Sequence, residues 1–256
     1  MRAAARVAAA LLLAGAGAGA GACHHFEPRA YPEPADLLRA SLRELRSGHY
    51  DKAQSGFQVL TFNVSARDSL YPIARYYLAE AYFGQEDYAT AARDFRRVAD
   101  ENATFRLAPD ALLRAGDAYA AQWTSTALDP ANGQTALATY QEVQSRFPDT
   151  PAARIAAVRI RALNERFASK ELENALFYFQ RGAYDSAILY FKDLIATYPT
   201  SALVPETYAY LVRSYQAIGW KDELSAFCDQ LRAYYAPFYR QRADVRERCG
   251  DRPAGR

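Results

Sequence analysis

The chain has 256 residues, half of them apolar, with 31 Lys and Arg against 29 Asp and Glu and with 19 Tyr. A chain this rich in apolar and aromatic residues is not intrinsically disordered, and a net charge near zero argues against a nucleic-acid partner. Only three His are present, which leaves little material for a metal site or for His-based catalysis.

The first 22 residues have the parts of a secretory signal peptide. Arg2 and Arg6 form a basic start, and a run of 16 apolar residues from 7 to 22 contains four glycines. A membrane-spanning helix needs about 20 predominantly apolar residues, and repeated Gly weakens a helix further. The small residues that close the run suit a cleavage site. We therefore predict that residues 1–22 are a signal peptide that is removed.

Cys23 follows Ala20-Gly21-Ala22 and resembles the acylated Cys of a bacterial lipobox, although the family pattern prefers Leu where this chain has Ala20. An acylated Cys23 becomes the mature N-terminus and anchors the protein to a membrane without spanning it. The alternative is an ordinary signal cleavage that leaves a free thiol. An acylated sulfur cannot join the neighbouring His24 and His25 in a metal site, so we expect no metal and no cofactor.

The chain after the anchor is predicted to change from a tether to a helical domain. Residues 23–34 contain prolines at 28, 32 and 34 and are expected to form an extended tether. From there on, a small residue followed four positions later by a large one recurs. That spacing puts both residues on one helix face, where the small residue lets two helices touch. The pairs are Ala53 with Phe57, Ala91 with Phe95, Ala136 with Tyr140, Ala187 with Phe191 and, more weakly, Leu224 with Cys228.

The first helices of the pairs share the spacing L-x-x-A-G-x-x-Y, as in Leu112 to Tyr119, which resembles the tetratricopeptide repeat of 34 residues. We expect an all-α fold, a tetratricopeptide-repeat superhelix of about five helix pairs over residues 35–235. The small positions are 38, 45, 51 and 37 residues apart, so the repeats carry insertions. We place these in a loop over 122–134 and in a long helix through 152–169. Residues 236–256 form a basic tail or a capping helix.

Stacked helix pairs form a concave surface that binds peptides or proteins. Tyr76, Glu80 and Phe83 are predicted to line it, because they lie opposite the packing stripe of their helix and combine aromatic anchors with a polar group. The alternative is that Tyr76 and Phe83 pack on a neighbouring repeat. A second apolar stripe is either a groove wall or an end cap and consists of Leu38, Leu42 and Leu45. No nucleophile lies beside a base in the sequence, so we expect no enzyme activity.

Two further cysteines, Cys228 and Cys249, lie near the end of the chain. In an oxidising compartment they could form a disulfide that holds the basic tail over the end of the superhelix. The alternative is that Cys228 is a buried small hydrophobic residue pointing away from the tail. The spacing leaves both possibilities open.

Several of these features together resemble the BamD family, lipoproteins of the outer-membrane β-barrel assembly machine. The resemblance covers about residues 23–235. It includes the lipobox Cys, the Pro-rich tether, the Asp129-Pro130 insertion and the stretch "YFQRGAYDSAILYFKDLIATYPTS". It implies an outer-membrane-anchored scaffold facing the periplasm. It also implies binding to the barrel-inserting subunit, to accessory lipoproteins and to unfolded outer-membrane proteins. His24, where Asp would indicate inner-membrane retention, is compatible with that location.

A different class of envelope protein offers the alternative. The segment "APDALLRAGDAYA", residues 108–120, also suits the tetratricopeptide coordinators that associate with the Tol–Pal system in cell division. Those proteins have an N-terminal coiled coil and no lipid. Here only a short tether precedes the repeats, which favours the assembly family.

Overall fold

The computed structural model describes residues 26–101 and 103–251, and this part of the chain contains helices and no strand. Five helix pairs follow one another, and each helix packs against the next in the chain. The predicted all-α tetratricopeptide superhelix of five pairs is thereby confirmed. The predicted signal peptide 1–22 and Cys23 lie outside the described residues. The helices are α1 (Pro34–Arg46), α2 (Tyr50–Asn63), α3 (Leu70–Gly84), α4 (Tyr88–Glu101), α5 (Ala108–Gln122), α6 (Ala131–Arg146), α7 (Pro151–Gln180), α8 (Tyr184–Thr197), α9 (Val204–Ile218), α10 (Lys221–Tyr234), α11 (Ala236–Gln241) and α12 (Ala243–Arg248).

Small residues bring the helices together at the spacing expected from the sequence. Ala53, Ala91, Ala136 and Ala187 are fully buried, and so are the aromatic residues four positions after them. A second close approach occurs at Gly116 on α5, where an added Cβ would lie 2.5 Å from the Tyr140 ring. Side chains larger than hydrogen or methyl at these points would push the helices apart.

Proline and a capping side chain mark where several helices begin. Helices α1, α5, α7 and α9 each have Pro in the first turn, where the missing N–H costs no hydrogen bond. The Thr150 hydroxyl accepts a hydrogen bond from the Ala153 N–H (3.2 Å) and caps α7. From that cap, α7 runs 30 residues without interruption, as predicted for the long helix of the fourth pair.

The insertion in the third pair is shorter than predicted. The loop covers residues 123–130, since α5 continues to Gln122 and α6 begins at Ala131. At the start of α6, the Asp129 carboxylate accepts a hydrogen bond from the Ala131 N–H (2.8 Å). The ammonium group of Lys170 on α7 donates to the carbonyl of Thr126 (2.7 Å). The loop is therefore fixed against the long helix.

The end of the predicted tether differs from its predicted extended form. Phe26 is buried in the core of the first helices, Pro28–Ala30 form a 3₁₀ turn, and α1 begins at Pro34. The cause lies on α2, where Gly56 leaves space for the ring: a Cβ there would lie 2.9 Å from Phe26. Residues 26–33 therefore pack against the first repeat.

The described part of the basic tail folds back on the last helix pair. Tyr239 of α11 and Val245 of α12 are buried in one apolar cluster with residues of α9 and α10. Cys228 on α10 forms a disulfide with Cys249, and the two Cα atoms are 5.7 Å apart. Cys228 is also buried, so in the structure it combines the two roles that the sequence left open. The tail thus covers the end of the repeat array, which such arrays require.

Candidate functional site

The first helices of the second, third and fourth pairs are α3, α5 and α7. Helix α5 lies between α3 and α7, contacting α7 directly and reaching α3 through side chains. A network of charged side chains connects these three helices. We call this network the inner row. It consists of Glu80, Arg114, Asp117 and Arg159, and the hydroxyl of Tyr140 donates to Asp117.

The centre of the inner row is a two-pronged ion pair. The Nε and one terminal nitrogen of Arg114 on α5 each donate to one carboxylate oxygen of Glu80 on α3, both at 2.8 Å. This parallel arrangement is the strongest geometry for such a pair. Burial opposes the charge of Arg114, but hydrogen bonds and attraction from Glu80 and Asp117 outweigh it and raise the pKa of the guanidinium. The pair therefore links two repeats while both groups stay charged.

Asp117 extends the row from α5 to α7. One of its oxygens accepts hydrogen bonds from the Tyr140 hydroxyl (2.9 Å) and from Nε of Arg159 (3.1 Å), and the other accepts from Arg114 (3.2 Å). Burial, and then the charge and hydrogen bond of Asp117, raise the pKa of Tyr140. That hydroxyl therefore stays protonated as a donor. Arg159 is half exposed and forms the open end of the row.

The three residues predicted for the concave face are close together, but two of them also pack within the repeats. The Tyr76 ring meets the Phe95 ring edge to face at 5.5 Å. Phe83 lies under the guanidinium of Arg114, whose central carbon is 3.9 Å from the ring centroid. Both rings are partly buried against the central core. Most contacts of Tyr76 and Phe83 are therefore packing contacts, as in the alternative that the sequence left open. Glu80, on the same helix, belongs to the inner row.

The second predicted stripe packs against the core of the first repeat. Leu38, Leu42 and Leu45 are partly buried and pack against the apolar cluster that contains Phe57 and Leu60. In the structure these leucines act as packing residues of the first helix pair.

The charged groups of the inner row pair with one another. Their charges alternate in sign, and within the described residues no group of three or more His, Cys, Asp or Glu could hold a metal ion. No described helix is both long and apolar enough to cross a membrane.

Four members of this site were not predicted from the sequence: Arg114, Asp117, Tyr140 and Arg159. One signal was present. In α3 an acidic residue directly follows the small residue of the repeat, Glu80 after Ala79, and in α5 Asp117 follows Gly116 in the same way. An acidic residue that recurs at the same position of the first helix in successive pairs indicates a row of charges. Their arginine partners, 34 and 42 positions away, follow no such pattern.

Several known proteins are similar to this chain. A family model described as "YfiO: Outer membrane lipoprotein" matches residues 32–229. Outer membrane protein assembly factor BamD of Vibrio cholerae serotype O1 is 27% identical over 196 residues, which cover 68% of this chain and 81% of that protein. The protein of the same name from Caulobacter vibrioides is 34% identical over 95 residues, covering 37% of this chain and 31% of that protein. Among solved structures, the TPR2AB domain of yeast Sti1 matches with a TM-score of 0.44 at 12% identity, covering 84% of this chain and 81% of that one.

Proposed function

The chain belongs to the YfiO family of outer membrane lipoproteins, and on that premise we propose that it acts in outer membrane protein assembly as a lipid-anchored scaffold facing the periplasm. In this role Cys23 carries the lipid and the superhelix binds other proteins without catalysing a reaction. The family match favours this role over that of a Tol–Pal coordinator.

The observation that carries the proposal is the inner row beside two aromatic rings. Arg114 joins Glu80 to the face of Phe83, and Tyr76 lies on the same helix. A surface with partly exposed rings and alternating charges suits an extended segment that carries aromatic side chains and free backbone groups. We propose that unfolded outer-membrane proteins bind here through their aromatic-ended β-signals.

Site-specific crosslinking tests the client surface. A photoreactive phenylalanine at Tyr76 or Phe83 replaces a ring by a ring and should capture outer-membrane proteins during their assembly. The same residue at Arg93, which is exposed on the second helix of this pair, is the control and should capture none. Equal capture at Arg93, or none at Tyr76 and Phe83, contradicts client binding at this face.

The proposed partners are the barrel-inserting subunit and accessory lipoproteins of the assembly machine. A pull-down of the acylated chain from solubilised membranes should enrich the barrel-inserting subunit. Enrichment of Tol–Pal components without that subunit would instead support the coordinator function. We propose no catalytic step for this chain. Outer-membrane protein assembly should therefore continue when any single Ser or Lys that could act as a nucleophile is substituted.

A further inference from the structure

One large apolar side chain is exposed beside the start of the described chain. Phe62, on the last turn of α2, is 90% exposed. It lines a shallow depression together with Arg29, Gln58, Val59 and Asn63. We call these five residues the Phe62 face. It contains one cation and no acid.

The Phe62 face is continuous with the segment that leads from Cys23. A neighbouring depression is lined by Pro28 and Tyr31 and shares Arg29, Val59 and Asn63 with the Phe62 face. The segment from Phe26 onward is thus packed along α2, and its first residue is fixed in the core. Phe62 therefore stands beside the point at which the chain enters the folded domain.

Covalent geometry limits how far Cys23 can lie from Phe26. A chain spans at most about 3.6 Å per residue, so Cys23 lies within about 11 Å of Phe26. Phe26 packs beside Gly56 on α2, and Gly56 is about 9 Å along the helix axis from Phe62. A lipid on Cys23 would therefore hold the membrane surface near the end of the molecule at which Phe62 is exposed.

We propose that the Phe62 face rests on the membrane, with the Phe62 ring at the level of the acyl chains and the Arg29 guanidinium at the phosphates. This proposal rests on the acylation of Cys23 in the proposed function. Aromatic side chains favour the membrane interface, and cations near the surface are attracted to anionic lipids. With the lipid as the first contact, this second contact would fix the orientation of the protein on the membrane and thereby the direction in which the inner row faces.

Fluorescence quenching by brominated lipids tests the contact. The mature protein, expressed with its signal peptide and purified from the cells in detergent, is reconstituted in vesicles of phosphatidylethanolamine and phosphatidylglycerol with brominated acyl chains, as Phe62→Trp and as Leu189→Trp. Leu189 is a matched control because it is 69% exposed and lies on α8. After subtraction of the unsubstituted protein, the Phe62→Trp signal should fall at least twofold relative to unbrominated vesicles, and the Leu189→Trp signal should not change. No quenching at position 62, or equal quenching at both positions, overturns the proposal.

Flotation of the same vesicles separates this proposal from the anchor itself. Protein that does not float with the vesicles refutes the acylation of Cys23 and the membrane contact together. Protein that floats without quenching at position 62 refutes only the Phe62 face and leaves the anchor in place. A blue shift of the position-62 emission that appears only when the barrel-inserting subunit is added would assign the face to a protein partner and overturn the membrane contact.

Discussion

Loss of the disulfide between Cys228 and Cys249 should loosen the end of the superhelix that α11 and α12 cover. The two cysteines are 21 residues apart, and closing a loop of that length removes about 3 kcal/mol of chain entropy from the unfolded state. Cys249→Ala is the cleaner perturbation, because Cys228 is 2% exposed and its replacement would also disturb the core. We expect Cys249→Ala to lower the free energy of unfolding by about that amount.

Other contacts limit how far the released tail can move. Arg232 on α10 donates to Asp251 (3.0 Å) and to the Cys249 carbonyl (2.9 Å), and the Tyr239 hydroxyl donates to Asp251 (2.8 Å). These contacts are partly exposed and weaker than a covalent bond. The tail should therefore open locally before the repeats unfold, and trypsin should cut first at Arg240 in the reduced protein.

Three measurements decide this prediction. The denatured, unreduced mature protein should show no free thiol, and urea unfolding should shift to lower denaturant when the disulfide is reduced. Cys249→Ala is the control for the reductant, since reduction should leave its unfolding curve unchanged. Two free thiols in the unreduced protein, or the same stability with and without the bond, would refute the reasoning.

The remaining predictions concern the anchor, the helix contacts and acid stability. Cys23→Ser should release the protein into the soluble periplasmic fraction, and a variant that stays on membranes in high salt would contradict acylation. Four buried small residues are each replaced by Leu: Ala53, Ala91, Ala136 and Ala187. Each substitution should overpack a helix contact and lower the free energy of unfolding by about 1–3 kcal/mol. Unchanged thermal unfolding in all four variants would contradict the helix contacts. Burial opposes the charged form of Glu142, but hydrogen bonds from Arg146 and Arg96 outweigh it and lower the pKa of the carboxyl group. The ionised carboxylate therefore stabilises the fold above its unfolded-state pKa, and this stabilisation is lost as the pH falls through the lower folded-state pKa. In Glu142→Gln, the free energy of unfolding should consequently fall less steeply towards acid pH.

Helix pairing was determined by the sequence, because its signals are local. A small residue and an aromatic residue four positions apart share one helix face in any α-helix, so Ala91 and Phe95 could be assigned to a contact before their partners were known. Prolines such as Pro151 mark helix starts because the ring fixes φ and lacks an N–H. The number of pairs and the long α7 follow from such signals.

The inner row was decided by the tertiary structure. Glu80 and Arg114 are 34 positions apart, and their contact depends on the angle between successive helix pairs, which no local pattern encodes. The same holds for Phe26, whose burial requires the gap that Gly56 leaves on another helix. It also holds for Phe62, an ordinary apolar residue in the sequence that only the packing of α2 leaves in solvent. Periodicity along one helix determines which face is apolar, whereas the superhelical arrangement determines which apolar and charged side chains find a partner.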